Sequence, residues 1–547
     1  MDTSKLVLAV LIIFIVGCQS SVPNKVSPKR PNILMIVADD LGYTDIGSFG
    51  GDIATPNLDS LASTGLTFSR FHTAPMCAVT RSMLLSGNDN HIAGMGSQDL
   101  VTGEFGYEGH LSNRIVPLPI LLKEAGYQTS MVGKWHLGKT PDQNPIEKGF
   151  DQSFALLNGG GNHYSNRGLF ASDPISPYTE NGVSVVWPKG AYSTDLYTEK
   201  LISFIDKHKD DNQPFFAFAA YTTPHWPLQV DSVYWQKYEG QYDSGYEALR
   251  KARFENLKGL GLIPNGAVLP ELHPGIKPWS TLTNEEKKSE SRKMELYAGM
   301  VHNMDVNIGR LIDYLKETNQ FDNTVIVFFS DNGAAANDFY NHEVLGPFLQ
   351  SQYTEDYKTM GQEESFISYG PQWAEAGASP FKYFKGYTTQ GGINSPFIIS
   401  GPSISTKGKV THAFTTLMDV APTFYELAQT EYPATHNKRE VYPLKGSSMM
   451  PLLLGNSQSV HGDDYVFSLE HRGHILVRKG NWKLVNSQLP FDESNFELYN
   501  LSLDLAEQND LRKEHPDVYE ELISEWEKYR EEVRVQLPTP RSGTGLE

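Results

Sequence analysis

The chain has 547 residues, 39% of them hydrophobic and 20% charged, with a formal net charge of −19. That length accommodates one large α/β core with a smaller unit, and the composition is that of a globular protein and not of a disordered one. The acid excess, with no basic run or stripe to balance it, excludes a general nucleic-acid binder, so an anionic substrate would need a local positive pocket.

The chain starts with Lys5, an apolar run from Leu6 to Val16, and Gly17-Cys18. The run is short for a membrane span and reads as an export signal. Ile15-Val16-Gly17-Cys18 resembles the bacterial lipoprotein box, which would make Cys18 the site of lipid attachment, with plain secretion as the alternative. Residues 19–30 read as a tether. The expected destination is the bacterial periplasm or the outer membrane, with membrane contact only through an N-terminal lipid anchor. Cys77 is then a single thiol with no disulfide partner in an oxidising compartment.

Asn32 to Ala38 is a continuous apolar run, the pattern of a strand buried on both faces, and it ends in Asp39-Asp40. Pro56 to Ala62 reads as a short helix and Gly65 to Phe71 as a strand. The proline-containing approach Pro75-Met76-Cys77 followed by Arg81-Ser82-Met83-Leu84-Leu85 reads as a loop entering a helix with Gly87 as C-cap, which places Cys77 and Arg81 on one face. A thiol at a helix start beside a guanidinium is favoured as thiolate, and the competing reading is a buried small hydrophobe. Leu118 to Ala125 is helical in period, Tyr127 to Gly133 extended, Asp195 to His208 helical and Phe215 to Tyr221 a buried strand. The stretch 231–290 is charged and turn-rich with no sustained apolar period, and reads as an insertion over a surface or pocket. Tyr297, Met300, Val301, Met304, Ile308, Leu311, Ile312 and Leu315 recur at helical spacing between Glu295 and Glu317. Thr324 to Phe329 is a strand ending in Asp331-Asn332, Pro396 to Ser400 another, and Asp419 to Ala428 a helix. Alternating helices and apolar strands predict an α/β fold, a doubly wound, mainly parallel sheet flanked by helices. Beyond Gly462, Tyr465 to His471, Ile475 to Arg478, Trp482 to Asn486 and Phe496 to Leu501 read as short strands, followed by a helix from Asp517 to Glu532. These predict a smaller C-terminal antiparallel subdomain.

In such sheets ligands gather at the carboxyl ends of the strands. Asp39-Asp40 and Asp331-Asn332 occupy such ends and offer hard oxygens suited to calcium or magnesium and poor for zinc. Taken singly each pair is an ordinary strand-ending turn. Lys134-Trp135-His136 and Pro224-His225-Trp226 also follow strands, and make anion binding and proton transfer available. Lys382 and Lys385 precede Gly391-Gly392.

These segments, in this order, resemble the type I sulfatases, arylsulfatase-like members of the alkaline phosphatase superfamily. The likeness is carried by Pro31 to Gly42, by Cys77-x-x-x-Arg81 with Ser-Met-Leu-Leu-Ser-Gly behind it, and by Gly133 to Gly138. Ser330 to Gly333, Thr389 to Ile393 and Glu497 to Leu501 continue it. The resemblance implies that Cys77 is oxidised by a formylglycine-generating maturase to formylglycine, whose hydrate is the nucleophile. It implies one Ca²⁺ held by Asp39, Asp40, Asp331, Asn332 and residue 77. By the same similarity Arg81 and Lys134 hold the hydrate, and Lys134, His225 and Lys385 bind the substrate, Lys385 being preferred to Lys382 on its spacing to Gly391-Gly392. His225 would protonate the leaving oxygen, His136 would serve as base for the elimination, and Asp331 could accept the attacking hydroxyl's proton. The substrate is then a small-molecule or glycan sulfate ester. The chain departs from the pattern at Val79, where the family ordinarily has Pro or Ala.

On this reading residues 1–18 are the signal with its lipoprotein box, 19–30 the tether, 31–460 the catalytic domain, 461–536 the C-terminal subdomain and 537–547 a tail. Two alternatives accompany it: a phosphodiester or phosphonate hydrolase of the same superfamily, and a non-catalytic lipoprotein that binds sulfated glycans.

Overall fold

In the computed structural model, which describes residues 30–98 and 100–537, the apolar runs are strands and the 3.6-period segments are helices. The export signal and Cys18 lie outside the described residues. In chain order the main block comprises β1 (Asn32–Ala38), α1 (Pro56–Thr64), β2 (Leu66–His72), α2 (Cys77–Ser86), α3 (Leu118–Glu124), β3 (Gln128–Lys134) and β4 (Gln152–Leu156). It continues with α4 (Ser193–Asp206), β5 (Phe215–Ala220), α5 (Tyr246–Gly259), α6 (Asn284–Glu317), β6 (Thr324–Ser330), β7 (Asn394–Ser400) and α7 (Val420–Ala428).

The strands lie in the order β2-β7-β6-β1-β5-β3-β4, with short edge strands beyond both ends. β1 runs parallel to β6 and β5, and β3 parallel to β5 and β4. Only β7 opposes its neighbours in this path, pairing antiparallel with β6 and β2. Side chains of a strand alternate between faces. Accordingly Leu34, Ile36 and Ala38 enter one core with α1, α4, α5 and α6, while Ile33, Met35 and Val37 enter the other with α2, α3 and α7. Burial on both faces explains why β1 reads as an unbroken apolar run, and helices on both faces make the sheet doubly wound. All eight apolar positions predicted on α6 are buried in the first core.

The stretch 231–290 departs from its expected turn-rich character, because it carries α5 and the first turns of α6. The inward face of α5 is written partly in charge. Arg253 is buried against Asp45 and Asp52, with Nε 2.9 Å from Asp52 Oδ1, so apolar periodicity undercounts that face. α6 starts at Asn284 through a reciprocal cap: Glu286 N donates to Thr283 Oγ1 at 3.2 Å, and Thr283 N to Glu286 Oε2 at 2.7 Å.

The C-terminal region is an antiparallel meander of β8 (Val466–His471), β9 (His474–Lys479), β10 (Trp482–Asn486) and β11 (Glu497–Asn500). Helix α8 (Pro516–Val533) covers it, burying Leu522 and Trp526 against Ile475, Val477, Leu484 and Leu498. Among the described residues no helix is long and apolar enough to cross a membrane.

Candidate active site

The parallel strands β6, β1, β5 and β3 deliver their carboxyl ends to one edge of the sheet. Ala38 is in register with Ser330, so the two polar pairs that follow are neighbours: Asp40 N donates to Asp331 Oδ1 at 3.3 Å. Lys134 is the last residue of β3, and the loop after β5 is tied to β1 by Asp39 N donating to Thr223 O at 3.0 Å. Cys77 opens α2. Thr80 fixes that helix over the site, its hydroxyl donating to Asp331 O at 2.6 Å while accepting from Ala74 N at 3.0 Å. Asp40 and His136 both take left-handed backbone, at φ 67° and 58°. Such non-glycine residues cost about 1–3 kcal/mol each and persist where the surroundings overdetermine them.

The side chains form an interlocked set. Lys134 Nζ lies 2.8 Å from each oxygen of Asp39, and Lys385 Nζ 2.7 and 2.8 Å from those of Asp40. Arg81 Nη2 donates to Asp331 Oδ2 at 2.8 Å and Nη1 to Lys134 O at 2.7 Å. Asn332 Nδ2 donates to Asp40 Oδ1 at 2.7 Å. Into this set points the Cys77 thiol, 3.5 Å from Asp39 Oδ1 and 3.9 Å from Asp40 Oδ1. His225 Nε2 is 3.5 Å from Asp40 Oδ2, and its Nδ1 donates to Trp226 O at 2.7 Å, which leaves Nε2 as the nitrogen facing the site.

Burial pushes Asp39 up to about 7 against the pull of Lys134, and the charges of Asp331 and Asp40 add to the rise. Burial would also raise Asp40, but Lys385, then His225 and Lys134, hold its carboxyl well below the usual range. Lys134 and Lys385 are held above the usual lysine value, the carboxylates of Asp39 and Asp40 respectively outweighing burial. Burial, then the charges of Lys134 and Arg81, force His136 far below the ordinary histidine value. His225 is likewise depressed by burial, with Asp40 opposing. Burial pushes the Cys77 thiol up to about 12 despite Lys134 and Lys385. The thiolate reading of Cys77 is thereby corrected, because the guanidinium meant to stabilise it is engaged by Asp331 and Lys134 O.

The donor set was tested against a hard cation. Asp39, Asp40, Cys77 and His225 each offer a ligand atom within 4.8 Å of the others. Asn332 Oδ1 is buried and makes no hydrogen bond, an orphaned acceptor beside those carboxylates. Buried acceptors without donors are uncommon, and a cation satisfies one directly. The residues fit Ca²⁺ or Mg²⁺.

The structure brings together Asp39, Asp40, Cys77, Arg81, Lys134, His136, His225, Asp331, Asn332 and Lys385, each of them buried except for His136, of which the ring nitrogen Nδ1 is buried. Lys382 is elsewhere, its Nζ 3.2 Å from Tyr499 Oη and 3.6 Å from Glu497. Thr80 is not readable as a contributor from sequence, whereas the glycine-rich segment 158–164, which holds Asn158 and His163, reads equally as a stretch lining the mouth and as a turn with no role in binding. Thr80 acts through a backbone contact. His163 Nε2 stands 3.1 Å from His225 O and fixes the loop that carries that histidine. Asn158 is buried with neither amide atom bonded, and the glycines after it lie against the rings of His136 and His225. A Cβ on Gly159 would sit 2.5 Å from His136 Cε1, and one on Gly160 3.0 Å from His225 Cε1. The signal for this segment is the glycine run itself.

A family model described as sulfatase matches residues 31–430, and one described as the C-terminal part of N-sulphoglucosamine sulphohydrolase matches residues 381–536. An uncharacterized sulfatase of Schizosaccharomyces pombe is 42% identical over 93% of this chain and 94% of its own length. An arylsulfatase of Klebsiella aerogenes is 40% identical, covering 77% of this chain and 91% of that one. Among solved structures, Ps i-CgsB in complex with k-i-k-neocarrahexaose is similar with a TM-score of 0.66 and 26% identity, over 91% of this chain and 92% of that one.

Proposed function

We propose that this chain, which belongs to the sulfatase family and is a sulfuric ester hydrolase, works through a formylglycine made from Cys77 and a Ca²⁺ held by Asp39, Asp40, Asp331, Asn332 and residue 77. The observation that carries this reading is the convergence on Cys77 of three buried cations, Lys134, Lys385 and Arg81, and three buried carboxylates, with the unbonded Asn332 Oδ1 among them. A plain thiol has little use for that set, whereas a sulfate ester needs cations on its oxygens and a nucleophile held in place.

One hydroxyl of the formylglycine hydrate attacks sulfur and displaces the alcohol, and deprotonation of the second hydroxyl then breaks the C–O bond to the transferred group, expelling sulfate and regenerating the aldehyde. Ca²⁺ held by Asp39, Asp40, Asp331 and Asn332 would supply positive charge that lowers the hydrate's pKa. The chain's own residues do the rest. Arg81, fixed by Asp331 and Lys134 O, keeps residue 77 oriented. Lys134 and Lys385 would bind sulfate oxygens in exchange for part of their contacts with Asp39 and Asp40. Asp331 accepts the proton of the attacking hydroxyl, His225, neutral in the buried resting site, takes up a proton at Nε2 and passes it to the departing alkoxide, and His136 takes the proton from the second hydroxyl. Trp226 stacks beside the His225 ring at 4.1 Å between centroids and packs edge-on against Phe339 at 4.8 Å. This apolar wall beside the acid suits an aryl group or the face of a sugar, and the solved neighbour's bound neocarrahexaose favours the glycan side. Export, attachment through Cys18 and maturation by a formylglycine-generating enzyme complete the proposal and rest on the sequence alone.

Mass spectrometry of the Cys77 peptide from the native host is expected to find formylglycine, and the same protein is expected to hydrolyse aryl sulfate with a loss of activity on chelation. Thiol alone at residue 77 overturns the nucleophile. A large rate preference for an aryl phosphodiester would overturn sulfate as the physiological ester.

A further inference from the structure

Where β2 meets the C-terminal sheet, a cavity of about 350 Å³ is lined by Arg70, His72, Lys258, Asn394, His412 and Arg478 and by no aspartate or glutamate. None of these residues belongs to the hydrolytic site, and in a chain of net charge −19 an acid-free basic cavity is a local exception. Arg478 is only 3% exposed. Its Nε donates to Gly480 O at 3.1 Å and its Nη1 to His72 Nε2 at 3.3 Å, while His72 Nδ1 serves Arg70 O at 3.1 Å. The guanidinium also stacks 3.8 Å over the Phe414 ring, which fixes its plane. Among the described residues Nη2 of Arg478 makes no hydrogen bond, and neither Arg478 nor Arg70 has a carboxylate within ion-pair distance. The carboxylate that acts on Arg478, Glu507, is already held by Lys483 Nζ and Gln390 N, each at 2.7 Å. Lys258 leans on Glu255 at 3.7 Å.

Two guanidiniums that repel one another, one fully buried, are expensive without an anion between them. Burial first and then the charge on Arg70 hold Arg478 well below the usual arginine range, the direction expected of a cation lacking its counter-charge. Planar guanidinium forks match oxyanions bidentately. Asn394 lines the same cavity, is buried, and leaves its Oδ1 without a hydrogen bond, an acceptor suited to a hydroxyl next to the anionic group. The volume exceeds what a single oxyanion fills and falls in the range of small-ligand sites.

We propose that Arg70 and Arg478, with Asn394, form a second binding site that takes an oxyanion, either free sulfate or the carboxylate or sulfate of an anionic sugar. The site stands on its own residues and goes beyond the hydrolytic reading. It reaches the hydrolytic site through the chain, since His72 Nε2 is 2.9 Å from Gln390 Oε1, Gly392 follows Gln390 closely, and Gly333 N donates to Gly392 O at 3.0 Å beside Asn332.

The test is isothermal titration of the full chain with sodium sulfate, sodium glucuronate and neutral glucose at fixed ionic strength, repeated on Arg70→Met and Arg478→Met. Saturable binding of an oxyanion is expected, weakened roughly tenfold or more in both variants. Aryl sulfate turnover of Arg70→Met is expected within roughly threefold of wild type, so that loss of this site and failure of the hydrolytic reading are told apart. Arg70 is half-buried, and Arg70→Met decides the matter if Arg478→Met does not fold. Equal affinity for sulfate and glucuronate assigns a free oxyanion, and tighter binding of glucuronate assigns a sugar. Wild-type protein that binds neither anion, or Arg70→Met that binds both as wild type does, overturns the proposal.

Discussion

Lys385 Nζ lies 2.7 Å from Asp40 Oδ1 and 2.8 Å from Oδ2, both side chains buried and 345 positions apart in the chain. Lys385 is the first of the groups that keep the Asp40 carboxyl ionised against burial. Lys385→Met therefore leaves a buried carboxylate without its cation and removes the proposed sulfate contact. The expected cost is about 3–5 kcal/mol in urea unfolding. A fall in aryl sulfate kcat/KM of about 10²–10³ is expected with it. Added Ca²⁺ should restore stability but not turnover. Lys382→Met, whose side chain points to Tyr499 and Glu497, should leave turnover nearly unchanged. Equal losses in the two variants would sink the assignment.

Gly159 packs against the His136 ring so closely that an added Cβ would meet Cε1 at 2.5 Å. The Nδ1 side of the ring is buried, which limits how far it can retreat. Gly159→Ala is expected to misplace His136 and lower kcat roughly tenfold to a hundredfold, with KM little changed. Because φ at Gly159 is not in the left-handed region, backbone strain adds nothing to this effect. A variant that turns over like wild type would show that His136 is not held by this loop.

The ends of β1, β3, β5 and β6 were legible because buried parallel strands announce themselves as apolar runs, and polar residues directly after such runs are conspicuous. Asp39, Asp40, Lys134, Asp331 and Asn332 follow from that rule. The order of strands across the sheet and the antiparallel run of β7 were not legible, because both depend on pairings between distant segments. α5 was missed because Arg250 and Arg253 occupy positions that a hydrophobic count leaves blank. The contributions of Thr80 and His163 escape any reading of residue types, since each works by touching a backbone carbonyl, and those contacts exist only in the folded chain.

His91 joins the main block to the C-terminal subdomain. Its Nδ1 is 3.3 Å from Asp89 and its Nε2 3.1 Å from Glu470 on β8, while Tyr529 on α8 donates to Asp89 Oδ2 at 2.8 Å. Burial would lower this histidine, but the hydrogen bonds to Asp89 and Glu470 outweigh it and raise it from 6.5 to about 9. Between those values the folded chain binds more protons than the unfolded one. The contribution is therefore complete below pH 6.5 and is lost as pH rises through about 9. It amounts to about 3 kcal/mol at most. Urea unfolding followed from pH 6 to 10 should show this decline in wild type, and His91→Gln should remove most of it. An unchanged slope in the variant would place the pH dependence elsewhere.

Val79 bears on when Cys77 can be converted. Both residues are buried in the first turn of α2, with exposures of 0% and 1%, and Val79 packs into the core with Leu84, Leu85 and Val420. On the proposed reading a maturing enzyme would have to unwind that turn to reach Cys77, so conversion would precede folding, when the segment is extended. In the unfolded chain Val79 is a local side chain with no packing role, and in the folded chain it is a core residue. Val79→Ala separates the two. Stability should fall by about 1–2 kcal/mol as the core loses two methyl groups. The converted fraction should be at least that of wild type, because alanine matches the pattern the maturase ordinarily meets. Turnover per converted molecule should not change, since the Val79 side chain belongs to the apolar core and not to the charged cluster. Mass spectrometry of the Cys77 peptide alongside thermal melts measures both quantities on one preparation, and a fall in conversion would mean that Val79 itself is part of what the maturing enzyme recognises.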